Sequence, residues 1–247
     1  MVETMLDKAC FQMFHTDTGN ALRNNTYQKA IKRLSFMPKL NSETFYLDTF
    51  DKVKEFHASH PKFKMQTIEG YDANGKTFPS NSGISGIWAS TYMAYKEFVK
   101  SDKEVLFIFE DDISVSPNFK HIAKTYMSEL PKDWEVFSFF VPNDSLFAYN
   151  SGAHDIPNGK FICKSYQQWA MCGYAISKKA AKKVIKDVET KGIEAPIDWY
   201  LFNFRMKPEF LNITFDTYTV KPGVYKPIDL VTEVSSISTV LTMDMID

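Results

Sequence analysis

Val105-Leu106-Phe107-Ile108-Phe109-Glu110-Asp111-Asp112 runs from five apolar side chains straight into three carboxylates. An uninterrupted apolar run buries both faces of its strand, as a central strand of a parallel sheet covered by helices does. Open α/β sheets take their ligands outside the carboxyl ends of such strands, which is where Glu110, Asp111 and Asp112 stand. Adjacent carboxylates repel one another, and a hard divalent cation with oxygen ligands, Mg²⁺ or Mn²⁺, relieves that repulsion. The plainer reading is an acidic turn ending a strand in water. The wholly apolar run before the acids favours the cation, because it sets them at the mouth of the core.

The flanking segments alternate strand-like and helical patterns, which predicts an α/β fold with a mostly parallel central sheet and helices on both faces. Upstream, Trp88, Tyr92, Tyr95 and Val99 recur at helical spacing. Downstream, Ser116-Pro117 reads as an N-cap and first-turn pair, opening a helix with Phe119, Ile122, Ala123, Tyr126 and Leu130 on one side. Strands are expected at Cys10 to His15, Thr44 to Asp48, Phe63 to Ile68, Trp134 to Val141 and Met171 to Ile176. Helices are expected from Tyr27 to Ser35, from Lys52 to Ser59, and over Ala180, Ala181, Val184, Ile185 and Val188. Thr16 to Asn25, Glu69 to Ser85 and Asn143 to Lys160 read as loops, and Pro222 and Pro227 limit regular structure in the tail.

The 247 residues suit one large domain, and 44% hydrophobic with 15% aromatic residues supply a sizeable core. A formal charge of −1 gives no overall pull toward nucleic acid or an anionic membrane. Cys10, Cys163 and Cys172 are widely spaced and make no Cys-x-x-Cys pair, so they read as reduced thiols of a cytoplasmic protein. Residues 1–10 carry Glu3, Asp7 and Lys8 and do not read as a signal peptide. No apolar run is long enough for a transmembrane segment. The sequons at Asn24, Asn143 and Asn212 then read as chance matches.

Gly70-Tyr71-Asp72-Ala73-Asn74-Gly75-Lys76-Thr77 fits the phosphate-loop pattern letter for letter. That chemistry needs Lys76-Thr77 to open a helix whose N-terminus holds the phosphates. Phe78-Pro79-Ser80-Asn81-Ser82-Gly83 follows instead, and a proline two residues in breaks the required helix. A glycine turn between a strand and a loop is the better reading.

Taken in order, several segments resemble glycosyltransferase family 25, the group of lipooligosaccharide and collagen galactosyltransferases. Glu69 to Gly75 is similar to its turn ending in Asp-Gly, and Gly83-Ile84-Ser85-Gly86-Ile87-Trp88-Ala89-Ser90 to its Gly-x-x-Gly-x-x-x-Ser helix start. Leu106 to Asp112 is similar to its strand ending in Glu-Asp-Asp. Gly173-Tyr174-Ala175-Ile176-Ser177 and Pro196-Ile197-Asp198 resemble its Gly-Tyr-x-Ile-Ser and Pro-Val-Asp segments. The likeness spans roughly residues 10–205. It implies a single domain of the GT-A type, with residues 1–115 binding a nucleotide-sugar and residues 116–247 the acceptor. Thr91 stands where the family usually has His, and an Arg-rich loop is reduced to Arg23 with Lys32-Arg33. These departures bear on donor and acceptor identity rather than on reaction type.

Under that resemblance Asp112 is the principal metal ligand, with Glu110 supporting it or holding the ribose, and Asp111 beside them. Inversion at the sugar carbon needs a base for the acceptor hydroxyl. Asp198 is the first candidate, with capping of a helix start as its bland alternative; Asp144 and then Asp155 come next. His15, Thr16 and Arg23 end the first strand, where a base and ribose could sit. Gly83, Gly86 and Ser90 could admit a diphosphate close to backbone amides. Trp88, Trp169 and Tyr174 are candidates for stacking on sugars, with core packing as the commoner role. Lys178, Lys179, Lys182, Lys183 and Lys186 form a basic face, read either as a solvated surface or as a contact for an anionic acceptor, a glycolipid phosphate or a nucleic acid.

The expected activity is transfer of a hexose from a nucleoside diphosphate sugar, a UDP-sugar favoured, to a glycan, glycolipid or glycoprotein hydroxyl. A non-catalytic nucleotide-sugar or carbohydrate-binding module is the alternative, followed by a P-loop nucleotide hydrolase.

Overall fold

The structure, a computed structural model, describes residues 4–15, 19–47, 50–64, 69–71, 77–79, 82–140, 154–157, 159–165, 172–193, 195–202, 214–221, 223–225 and 227–230. Along the chain come β1 (Ala9–Phe14), α1 (Ala21–Leu34), α2 (Phe50–Ser59), β2 (Glu69–Tyr71), β3 (Thr77–Pro79), α3 (Ser82–Lys100), β4 (Val105–Glu110) and β5 (Ile113–Val115). Then follow α4 (Phe119–Met127), β6 (Val136–Ser138), β7 (His154–Asp155), β8 (Ile162–Lys164), β9 (Gly173–Ser177), α5 (Lys178–Thr190), α6 (Ile197–Leu201), β10 (Thr217–Val220) and β11 (Ile228–Leu230).

Seven strands form the main sheet in the order β1-β4-β9-β6-β10-β8-β7. β1 lies parallel to β4 and β6 parallel to β10, while β9 runs against both β4 and β6. The sheet is mixed: β1, β4, β6 and β10 share one direction, as expected of its core, β9 is reversed among them, and β8 runs against both β10 and β7. Alternation along β4 divides the core in two. Val105, Phe107 and Phe109 pack with residues of α1 and α4, whereas Leu106 and Ile108 pack with residues of α2, α3, α5 and α6. Helices thus cover both faces.

Several elements differ from the sequence-based expectation, each for a local reason. α1 begins at Ala21, inside the expected loop, because the Asn20 side chain accepts hydrogen bonds from Leu22 N (3.0 Å) and Arg23 N (3.1 Å). No strand forms at residues 44–47. The chain runs beside β1 earlier, at the Phe11↔Lys39 bridge, and Phe45 N is held instead by the Ser90 hydroxyl. Asn118, not Ser116, takes the N-cap position of α4, and Ser116 Oγ accepts from Asn118 N. The Trp134 to Val141 strand is confined to β6 among the described residues. The tail, expected to be irregular, supplies β10 to the interior of the sheet, between β6 and β8. It also supplies β11, which pairs with β5.

Gly173 shows why that tail docks where it does. A Cβ at Gly173 would lie 2.2 Å from Ile228 Cδ1 and 3.0 Å from Phe109 Cδ1, so glycine leaves the room that Ile228 fills. At the phosphate-loop match, Thr77 begins strand β3, and the next helix starts only at Ser82. Residues 72–76 lie outside the described residues. Cys10, Cys163 and Cys172 are buried and free. Among the described residues, no helix is long and apolar enough to cross a membrane.

Candidate active site

The parallel register Phe14↔Glu110 brings the ends of β1 and β4 to the same level, so His15 and the acidic triplet share one corner of the sheet. Asp111 is almost fully buried there. Its Oδ2 lies 2.6 Å from His15 Nδ1, and its Oδ1 accepts from Arg23 Nε at 2.7 Å. The His15 ring stacks on Tyr27, with centroids 4.0 Å apart and planes 8° from parallel. Arg23 and Tyr27 are one turn apart on α1 and so address the corner from the same helix face. Asp111 ties β1, α1 and the end of β4 together, and two cationic or ring-nitrogen partners already engage its oxygens.

Asp112 differs. It is 8% exposed, and its Oδ1 is buried with no hydrogen-bond partner. Burial, then the charge of Asp111, push its pKa up, while Arg23 opposes them. Glu110, partly exposed at the last position of β4, is pushed up to about 8. Loss of solvent around its carboxyl group is the largest cause, followed by the charges of Asp112, Asp111 and Asp198; Arg23 again opposes. Removing a carboxylate from water disfavours its charged form, and like charges nearby add to that.

The charge of Asp198 is felt at Glu110, so α6 lies on the side of the sheet that Glu110 faces. Alternation along β4 turns Glu110 to the same side of the sheet as α3 and α6. Asp198 is partly exposed in the first turn of α6, where Pro196, not Asp198, occupies the N-cap position. Its Oδ1 accepts from Trp199 N at 3.0 Å. Cys172 is buried, and that burial, then the charges of Glu110 and Asp112, push its thiol far up. Nothing in the sequence pattern pointed to Cys172; the spacing of Tyr27 from Arg23 could have pointed to Tyr27.

Several other expected site residues are engaged within the chain itself. Ser90 Oγ donates to Gly86 O at 2.8 Å and accepts from Phe45 N at 2.8 Å. A Cβ at Gly86 would come within 3.0 Å of Phe45 O and 3.3 Å of Leu47 N. The close backbone approach at Gly86 is therefore made by the chain's own residues 45–47. Gly83 lies in the first turn of α3. Trp88 and Tyr174 are core residues: Trp88 Nε1 donates to Ala195 O at 2.9 Å, and the Tyr95 and Tyr174 hydroxyls are 2.8 Å apart. Asp155 is exposed in β7 and 2.8 Å from Lys221 Nζ. Thr16, Asp144 and Trp169 lie outside the described residues.

The five lysines of α5 line a shallow open depression of about 630 Å³ together with Glu104. Lys178 Nζ donates to Ser101 O at 2.8 Å, and Lys183 Nζ reaches the buried Glu135 at 3.1 Å and also donates to Thr214 O. Lys179 lies 3.6 Å from Glu135. This depression opens at the amino end of β4, since Ser177 pairs with Val105.

A family model described as glycosyltransferase family 25 (LPS biosynthesis protein) matches residues 28–201, well over half of the chain. The chain belongs to glycosyltransferase family 25. As a family 25 member it is a glycosyltransferase, which implies a nucleotide-sugar donor. β4, the three acids and α6 fall within the matched residues; His15 and Arg23 precede them. Three solved structures are similar at low identity. One is a glycosyltransferase involved in the glycosylation of the major capsid of PBCV-1, with 15% identity, 87% of this chain and 82% of that chain covered, and a TM-score of 0.38. The second is A197 from STIV, with 9% identity, 87% and 82% covered, and a TM-score of 0.40. The third is mouse xyloside xylosyltransferase 1 in its apo form, with 10% identity, 83% and 84% covered, and a TM-score of 0.33. At these scores none of the three bears on the site. Among curated proteins nothing matches the chain.

Proposed function

We propose that this family 25 member moves a hexose from a nucleoside diphosphate sugar, a UDP-sugar favoured, to a glycan hydroxyl with inversion, at the corner formed by Glu110, Asp111, Asp112 and Asp198. One observation carries the reading: Asp112 Oδ1 is buried without a hydrogen-bond partner in the consecutive acidic run Glu110-Asp111-Asp112 at the end of β4.

That arrangement fits a hard divalent cation, Mn²⁺ or Mg²⁺, through carboxylate oxygens. Among the described residues no three His, Cys, Asp or Glu side chains form a ready cage. Asp112 and Glu110 are the proposed protein ligands, leaving further positions for diphosphate oxygens. Asp111 is the weaker candidate, because Arg23 and His15 already occupy its oxygens. Bound there, the ion would supply positive charge against that developing on the departing diphosphate.

The chain's own residues do the rest. Asp111 fixes Arg23 and His15 at the end of β1, where the stacked His15–Tyr27 pair offers a platform edge for the nucleoside. Asp198 takes the proton of the acceptor hydroxyl as that oxygen bonds the sugar carbon and the bond to the diphosphate breaks. Asp144 is the alternative base, and turnover kept in Asp198→Asn but lost in Asp144→Asn would move the role to it.

The test is release of nucleoside diphosphate from a panel of nucleotide-sugars, with and without Mn²⁺, preceded by a thermal-shift screen for binding. Metal-dependent release that Asp112→Ala abolishes supports the reading. Full activity of Asp112→Ala refutes the metal assignment, and donor binding without turnover on any acceptor replaces the enzyme by a binding module.

A further inference from the structure

α6 has five residues, too few to hold its own orientation. Tyr200 N donates to Pro196 O and Phe202 N to Asp198 O, each at 2.9 Å, and these local bonds close one turn. What aims that turn is its grip on two longer helices. On the α3 side, Trp88 Nε1 donates to Ala195 O at 2.9 Å, and the Trp88 and Tyr200 rings meet edge to face at 5.1 Å. On the α5 side, the buried Tyr200 hydroxyl donates to Asp187 Oδ2 at 2.7 Å. Asp198 lies between the two tethers.

Asp187 is 4% exposed, and its one ion-pair partner among the described residues, Lys191, stands 3.8 Å away. Burying a carboxylate is costly, and a leucine would fill comparable volume without that cost. What the carboxylate adds is direction, since a charged acceptor fixes both the position and the orientation of the hydroxyl that donates to it. We infer that Asp187 is a positioning residue: through Tyr200 it sets the α6 turn and so aims the Asp198 carboxylate at the corner beside Glu110. This rests on the reading of Asp198 as the base. The arrangement makes α5 part of the active-site scaffold although none of its residues lies in the acidic corner.

The test compares wild type with Tyr200→Phe, Asp187→Asn, Asp187→Leu and Asp198→Asn. UDP release from UDP-galactose and UDP-glucose with Mn²⁺ gives kcat and donor KM, and amide hydrogen exchange reports local order. Tyr200→Phe keeps the ring against Trp88 and removes only the hydroxyl. It should lower kcat on the order of tenfold, as misaimed catalytic groups do, with donor KM within about twofold, while the Tyr200 and Phe202 amides exchange faster and those of β4 do not. Asp187→Asn retains an acceptor and should recover to within about threefold of wild type, whereas Asp187→Leu should not. Wild-type kcat in Tyr200→Phe or in Asp187→Leu overturns the inference. So does a loss of kcat accompanied by faster exchange throughout β4, which would make the contact a matter of folding alone. Full turnover in Asp198→Asn instead sinks the base assignment; unchanged exchange at Tyr200 and Phe202 in Tyr200→Phe sinks the tether, whatever the turnover.

Discussion

Like charges gather at two places in this protein, and the protein treats them differently. On α5 the lysines stand a turn or less apart on an open helix face, and Glu104 and Glu135 answer them from within the chain. At the end of β4 the acids are consecutive and largely withdrawn from water, and the nearby Arg23 and His15 both engage Asp111. Solvated charge on a helix face costs little. Crowded carboxylates with an orphaned oxygen raise the energy of the folded chain unless something from outside meets them. That difference is why the proposed site is set at the carboxyl end of the sheet and the lysine depression is read as surface.

The sharpest way to break this comparison is Asp112→Ala. Metal-dependent transfer should fall more than about a hundredfold, the scale of losing an electrostatic partner of the transition state, while the thermal midpoint without metal holds or rises. A protein destabilised by the change would mean that Asp112 serves the fold. Next in size, Asp198→Asn should lower kcat on the order of a hundredfold, in the range of general base catalysis, with donor KM little altered; a change confined to KM would move Asp198 from chemistry to binding.

Glu110→Gln sharpens the comparison through pH. The folded protein raises the pKa of Glu110 above its ordinary 4.5, to about 8, so this group's stabilisation is complete below the ordinary value and is lost as pH rises toward 8. In chelator, the wild-type midpoint should therefore decline from pH 5 to pH 8, and Glu110→Gln should flatten the decline, gaining about 2–4 °C at pH 8. Parallel profiles would show that Glu110 bears no such burden. The smallest effect belongs to the other region. Lys182→Glu with Lys186→Glu should leave kcat, KM and stability within about 0.5 kcal/mol of wild type, measured with a small soluble acceptor. A large loss there would turn the depression into a working surface.

β4 and its acids were legible because the signal is contiguous: five apolar residues and three carboxylates need no partner to be recognised. α3 and α5 were legible through their period. α1 was misjudged because its start depends on one asparagine side chain, and residues 44–47 because their apolar character serves a crossing over Gly86 rather than a ladder. β10 was missed since Thr217-Tyr218-Thr219-Val220 is short and followed by prolines; only its neighbours make it a strand. Asp198 was singled out by the Pro196 and Trp199-Tyr200 around it and by family resemblance. No local pattern encodes how residues so far apart are brought together, and the Asp187–Tyr200 hydrogen bond was not foreseen at all.

The reversed strand carries a consequence for biosynthesis. β9 is laid between β4 and β6, so neither of those earlier strands gains its inner neighbour until residues 173–177 leave the ribosome. A nascent chain stopped short of them holds two fragments of sheet with raw inner edges, open to pairing with other chains. The two halves of the sheet are thus stitched by a late thread, and dividing the gene between them would yield two aggregating pieces rather than two domains.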